Sequence, residues 1–516
     1  MIRVLTKFAN GALDPSTKGK KIMKKPSYLA LVGTALLLAT SLTPAMAAQT
    51  DITIGMVLEP PNLDPTAGAA AAIDEVVYSN VFEGLTRFNS SGEVIPGLAR
   101  TWDISEDGLT YVFHLVSGAT FHDGTSFDAE DVKFSLDRAR GEDSTNAKKN
   151  IFEGIESVEV VDAATVRITL SAPDGLFLWQ MAKGDSVIVA PETAGDNATN
   201  PVGTGPFSFV DWVQGDNIEL AKYDGYWGNE VALDSVTFKF IADPTAAFAA
   251  MMAQDVDAFP NFPAPETLAQ LDADPRFSVV VGATEGETIL STNNTNPPLD
   301  DVRVREAIAH AIDRQAIIDG AMFGYGTPIG THFNPSNPNY LDLTEQSNYD
   351  PAKSIALLAE AGVTDLVLQF KLPPPSYARR GGEIIAAQLR AVGIETEITN
   401  VEWAQWLDDV YKQKNYDLTI VSHTEPFDIG IYVRDNYYFN YTSEAMAAIM
   451  TELAGTTDTA ARTVLIHAAQ QQIADDYVNG YLFQLAKTGV ANSKINGLWE
   501  NSPTQANDMT GVSWSD

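Results

Sequence analysis

No cysteine occurs anywhere in the 516 residues. Disulfide staples, thiol nucleophiles and zinc–thiolate centres are therefore excluded, and the fold must be held by packed cores. A chain of this length exceeds one ordinary core, so at least two lobes are expected. With 45% hydrophobic and 20% charged residues, the composition is that of a globular protein and not of a disordered one.

The N-terminal segment reads as a targeting signal. Lys24 and Lys25 precede an apolar run from Tyr28 to Leu42, and Ala45-Met46-Ala47 supplies the small residues of a cleavage site. This is the pattern of a Sec signal peptide over residues 1–47, with Met23 as an alternative start. The apolar run falls short of the ~20 residues that a membrane span needs. A lipoprotein anchor would need a cysteine at the cleavage point, so an unlipidated protein of a Gram-negative periplasm is expected. Loss of the leader removes seven Lys/Arg and one Asp, taking the net charge from −35 to −41. Such a surface repels nucleic acid and anionic lipid.

No fixed-period repeat or long Gly/Ser linker divides the rest. "DITIGMV" and "TVRITLSAP" alternate apolar and polar residues as half-buried strands do. "GLTYVFHLVSGATFHDGTSF" reads as a hairpin, with Ser117-Gly118 between its strands and His122-Asp123-Gly124 as the next turn. "DAEDVKFSLDRA" predicts a helix capped by Asp128, with Asp131 three residues on and Val132, Leu136 and Ala139 on one face. Further on, "DDVRVREAIAHAIDRQAIIDGAMFG" predicts a helix starting at Asp300 or Asp301. "DPAKSIALLAEAG" predicts another, capped by Asp350, opened by Pro351 and ended at Gly362. Helices alternating with strands such as "DLVLQFKL", "ETEITNV" and "DLTIVS" indicate an α/β lobe with a mixed sheet. Ligands of such sheets bind just beyond strand ends.

Catalytic signatures are missing. There is no G-x-S-x-G elbow, no H-E-x-x-H and no G-x-x-x-x-G-K-[ST]. "GYGTPIG" mimics a dinucleotide loop but ends a helix instead of opening one, and reads as a turn. The six histidines, at 114, 122, 310, 332, 423 and 467, share no metal-ligand spacing on one element. A metal site would have to be assembled from distant segments around His423. Neither a resident metal nor a cofactor is expected. Glu425 and Asp428 have the form of a hydrolytic pair, but carboxylates are abundant here, and an exported hydrolase is the weaker alternative.

Collinear motifs run along nearly the whole mature chain: "LDP" at 63–65, "VFEGLTRFNSSGEVIPGLARTWDISEDGLTYVFHL", "ATFHDGTSFDAEDVKFSLDR", "PVGTGPFSFVDW", "YDGYWG", "NPPLDDVRVREAIAHAIDRQAII", "YDPAKSIALLAEAG" and "VEWAQWLDDVYKQKNYDLTIV". In these motifs the chain resembles the extracytoplasmic solute-binding proteins of peptide/nickel-type ABC importers, the oligopeptide/dipeptide-binding family 5. The resemblance implies an α/β, bilobal periplasmic-binding-protein fold (type II, cluster C) with an extra inserted domain. Domain I would comprise 48–85, 200–290 and 480–516, domain II the insertion 86–199, and domain III residues 291–479. It further implies a monomer without enzymatic activity. Such a monomer captures a small polar solute, by family weight an oligopeptide, by lobe closure and delivers it to an ABC permease in the inner membrane. An opine, an oligosaccharide or a metal chelate are alternative ligands of the same fold.

The stretch "NYDLTIVSHTEPFDIGIYVRDNYYFNY" carries the site expectation. In peptide-binding members, the corresponding strand runs into a G-W-x-x-D-type segment whose aspartate holds the ligand amine. This sequence has Ser422-His423-Thr424-Glu425-Pro426 instead, so Glu425 or Asp428 is the candidate anchor, with His423 and Thr424 beside them. Trp403, next to Glu402, is read as facing the cleft, and Trp406 as core. Asn293 and Asn294 fall where an inter-domain strand passes the cleft, with turn formation as the alternative. Tyr432, Tyr437 and Tyr438 line the pocket or pack at the surface.

Overall fold

The computed structural model describes residues 49–516 apart from 69, 426, 457 and 516. The expected leader, 1–47, lies outside the described residues. Two long strands, Phe277–Thr292 and Asn479–Asn492, organise the rest. They pair antiparallel from Phe277 opposite Asn492 to Ser291 opposite Asn479, with a register shift between Ala283 and Glu287. Residues 284–286 occupy that interruption.

On one side of it the two strands join, through Ala258–Phe259, to Asp51–Met56, Ser235–Phe240, Asn217–Lys222 and Phe207–Val213. On the other they join Leu418–His423, Leu366–Leu372 and Ile394–Asn400, and the short strand Thr327–Pro328, paired with Asn479–Asn492, completes an 11-stranded sheet. This second half is mixed. Leu366–Leu372 runs parallel to both its neighbours, whereas Leu418–His423 runs antiparallel to Phe277–Thr292. Leu290, Leu418 and Ile420 point into one core, while Ile289 and Val421 point into another on the opposite face. Cover on both faces explains why the apolar pairs Ile289-Leu290 and Ile420-Val421 stand side by side in these strands instead of alternating with polar residues.

The helices at Asp301 and Asp350 start where their caps predict, but the run from Asp301 to Gly324, read as one helix, forms two, Val302–Ala311 and Arg314–Met322, the second capped by Asp313. Asp301, Asp350 and Asp458 each accept a backbone N–H in the first turn of Val302–Ala311, Pro351–Glu360 and Thr459–Asp475. Such a cap satisfies a donor that the helix leaves orphaned. "GYGTPIG" is a turn, with Gly324 at φ +87° just after the helix Arg314–Met322.

A separate four-stranded sheet, ordered Ala99–Ile104, Thr110–Leu115, Thr165–Leu170, Ile155–Asp162, packs against the helix Ala129–Arg140. That helix carries a reciprocal capping box between Asp128 and Asp131, and Val132, Leu136 and Ala139 enter a core built from residues 85–202. The hairpin expected across Ser117-Gly118 does not form. Thr110–Leu115 pairs with Ala99–Ile104 and Thr165–Leu170, so both its edges are taken. The following run instead curls on itself through a single bridge, Thr120 to Ser126. His122 then docks on the backbone of Gly203 and Gly205. Among the described residues no helix is long and apolar enough to cross a membrane.

Candidate ligand-binding site

Where the two long strands part company, the wall of a cleft begins. Thr284 and Glu285 lie in the interruption, and the loop after Leu418–His423 arrives beside them. A cavity of about 170 Å³ is lined by Asp74, Lys148, Trp179, Lys183, Glu285 and Glu425, among others. A neighbouring space of about 390 Å³ shares Thr424, Ser502 and Gln505 with it. Another of about 280 Å³ shares Trp179, Glu285 and Pro503, and adds Phe427. The lining of the first cavity comes from five stretches distant in sequence: 68–74, 148–185, 285, 424–425 and 502–505.

Two contacts reach across. Lys148 Nζ donates to Glu425 Oε1 at 3.2 Å. Phe427 meets Trp179 edge-on, with ring centroids 5.2 Å apart and an 82° interplanar angle. The opposite edge of the wall holds closely spaced charges. Lys183 sits 5.2 Å over the Trp179 ring. Asp74 lies so close to the backbone at Gly184 that a Cβ there would fall 2.3 Å from its Oδ1; glycine is what lets the carboxylate approach.

Burial dominates the electrostatics. It pushes Asp74 well above the usual carboxylate range, with the charge of Asp185 adding to the effect. It raises Glu75 and Glu285 to about 7 and lowers Lys487 to about 8. Lys183 is also lowered by burial, against the pull of Asp185. A cleft with both signs of charge, each poorly solvated, favours a ligand that brings its own complementary charges.

The candidate residues divide into three groups. Thr424 and Glu425 line the cavity. His423, Asp428 and Tyr432 lie behind it, in a polar cluster with His332 and Glu287. There His332 Nε2 lies 2.7 Å from Asp428 Oδ1, and the Tyr432 hydroxyl lies 3.3 Å from His332 Nδ1 and 3.0 Å from the Tyr481 hydroxyl. Burial pushes Asp428 upward, but His332 and His423 outweigh it and hold the carboxyl below its ordinary range. Burial likewise lowers His423, against the charge of Asp428. Trp403 and Asn294 are placed elsewhere. Trp403 is 41% exposed, packed against Trp406. Asn294 is buried, and its amide donates to the carbonyls of Thr292, Phe439 and Val478. Trp406 is core, its indole N–H donating to Thr419 Oγ1 at 2.9 Å.

The profile of the bacterial extracellular solute-binding proteins, family 5, matches residues 93–445. The chain belongs to that family. The family 5 assignment is supported by the glutathione-binding protein GsiB of Salmonella paratyphi A, which is 33% identical over 386 residues, covering 73% of this chain and 74% of its own. The substrate-binding protein CtaP of Listeria monocytogenes superposes with a TM-score of 0.82 at 21% identity, over 91% of this chain and 100% of its own. DppA of Helicobacter pylori, solved with the peptide STSA, gives 0.78 at 24% identity, over 91% and 99%. Both share the bilobal α/β fold. Family 5 proteins bind peptides or small ligands and work with ABC permeases, and this chain is the substrate-binding component of such an importer. The DppA protein is an ABC transporter-associated periplasmic binding protein.

Sequence reasoning pointed to the 423–428 loop but not to Lys148, Trp179, Lys183 or Asp74. None of these stands in a local pattern that marks it; each becomes a wall residue only through the fold.

Proposed function

We propose that the chain captures a short peptide in this cleft and presents it to its permease by lobe closure. The carrying observation is the Lys148–Glu425 pair, a cation and an anion contributed from opposite walls at 3.2 Å. The ammonium and carboxylate of a zwitterionic ligand replace such a pair with two of their own. Trp179 and Phe427 supply apolar area for side chains, and the DppA–peptide and GsiB relatives support the same ligand class.

The mature protein acts as an unlipidated periplasmic monomer after loss of residues 1–47, and it has no catalytic role. Its domains are I (48–85, 200–290, 480–516), II (86–199) and III (291–479), with the hinge in the two long strands that connect I to III. Peptides offered with free, N-acetylated or C-amidated ends test the reading by calorimetry. Free peptides bind best if it holds. Equal binding of all three, or binding only of a sugar, an opine or a metal chelate, overturns it.

A further inference from the structure

Behind the cavity wall, five ligating side chains converge. Glu287 sits directly opposite His423 in the pairing of Phe277–Thr292 with Leu418–His423. Asp428 stands between two imidazoles, its Oδ1 2.7 Å from His332 Nε2 and its Oδ2 3.9 Å from His423 Nδ1. One ligand atom each from Glu287, His332 and Asp428 lie within 4.8 Å of one another, and the same holds for His423, Glu425 and Asp428. Asp428 belongs to both sets.

Two features separate this cluster from a chance gathering of acids. Glu287 is fully buried, and among the described residues its Oε2 has no hydrogen-bond partner, while its Oε1 accepts from the Asn334 amide at 3.5 Å. A carboxylate in that position is costly unless something positive joins it. The two histidines, moreover, are tethered alike. His332 holds the Tyr432 hydroxyl at Nδ1, 3.3 Å away, and His423 holds the Tyr438 hydroxyl at Nε2, 3.1 Å away. Each ring thereby turns its other nitrogen toward Asp428. Fixing one imidazole nitrogen so that the other is free is how metal-ligating histidines are oriented.

We propose that Glu287, His332 and Asp428, with His423 as an additional donor, form a site for one divalent transition cation of the Zn²⁺, Ni²⁺ or Co²⁺ class. Bonds of about 2.0–2.2 Å at tetrahedral angles place any two donors about 3.3–3.6 Å apart, so side-chain rotations that draw together atoms now within 4.8 Å of one another bring the set onto one ion. Two carboxylates and neutral imidazoles balance a divalent charge, which a buried site requires. Mixed nitrogen and oxygen donors select borderline metals over Ca²⁺ and Mg²⁺, which prefer all-oxygen shells. Thr424 and Glu425 of the same loop line the cavity and the Asp428 side chain keeps 18% of its surface exposed, so the ion would enter from the cleft side. The site does not depend on which solute the cleft carries.

The test uses the purified full chain, stripped with a chelator and free of peptide. Titration with Zn²⁺, Ni²⁺ and Co²⁺ as aquo ions should show one equivalent bound, with Ca²⁺ and Mg²⁺ inert. Affinity should fall at least tenfold in Glu287→Gln and in His332→Gln. Zinc X-ray absorption on the wild type needs no variant and should count two imidazoles. It therefore stays decisive if a buried substitution fails to fold. Absence of stoichiometric binding, full affinity in folded variants, or a zinc shell without imidazole pairs, as an exposed site such as His114–Asp103 would give, overturns the proposal.

Discussion

Lys148 and Glu425 are 277 positions apart in the chain, yet together they define the character of the cleft. Their side chains remain 36% and 45% exposed, so the pair adds little to stability; its role is in recognition. A charge-assisted hydrogen bond in a closed cleft contributes about 1.5–3 kcal/mol. Glu425→Gln should therefore weaken binding of a free-amine peptide by about ten- to a hundredfold. Calorimetry measures this, with circular dichroism as the folding control. Unchanged affinity would move the amine anchor elsewhere in the wall. A second residue-scale expectation concerns Glu83, which accepts from Trp227 Nε1 and Thr204 Oγ1, both at 2.8 Å, and from the Tyr226 hydroxyl at 3.1 Å. Burial nevertheless raises it to about 7 from an ordinary 4.5. The folded state thus holds the proton more tightly than the unfolded chain. The resulting stabilisation is fully present below about pH 4.5 and is lost as pH rises through about 7. Its full size is roughly 3 kcal/mol. Thermal melts of wild type and Glu83→Gln between pH 5 and 8 should show a smaller fall with pH in the variant; parallel curves would refute the assignment.

Elements whose partners are local were legible, and those whose partners are remote were not. The capping box of Ala129–Arg140 was readable because Asp128 and Asp131 are three residues apart and the helix buries a single face. Asp128→Ala removes the cap and should cost about 1 kcal/mol, read as a lower urea midpoint at unchanged slope. An unaltered midpoint would mean the core of residues 85–202 holds that helix without it. The strands Leu366–Leu372, Ile394–Asn400 and Leu418–His423 were readable from their patterns. The hairpin at Ser117-Gly118 was misread because Thr110–Leu115 takes its second neighbour from residues 165–170, beyond an intervening helix. The site divides the same way. The 423–428 loop announced itself as a polar knot after a buried strand. His332 and Glu287 gave no signal, since each gains its partners only when distant loops and strands fold together.

At the scale of the molecule, the two long strands connect the halves of the sheet, and what spans the cleft elsewhere is slight. Among the side-chain contacts across it are one exposed ion pair and the Trp179–Phe427 edge contact. An aromatic pair adds about 0.5–1.5 kcal/mol beyond its buried area. Neither contact is strong enough to hold two lobes shut, so the ligand-free protein is expected to favour the open form and the ligand to supply the difference. Phe427→Ala removes one of the bridging contacts. If binding requires closure, the apparent affinity scales with the closed fraction, so this variant should bind a few-fold to about tenfold more weakly. Its ligand-saturated shape should not change. Small-angle scattering should show the radius of gyration of the wild type falling on saturation with an identified peptide, and the variant reaching the same compact value at higher ligand concentration. A wild-type radius that stays constant from empty to saturated would mean that the walls are fixed, and that the long strands act as a rigid frame and not as a hinge.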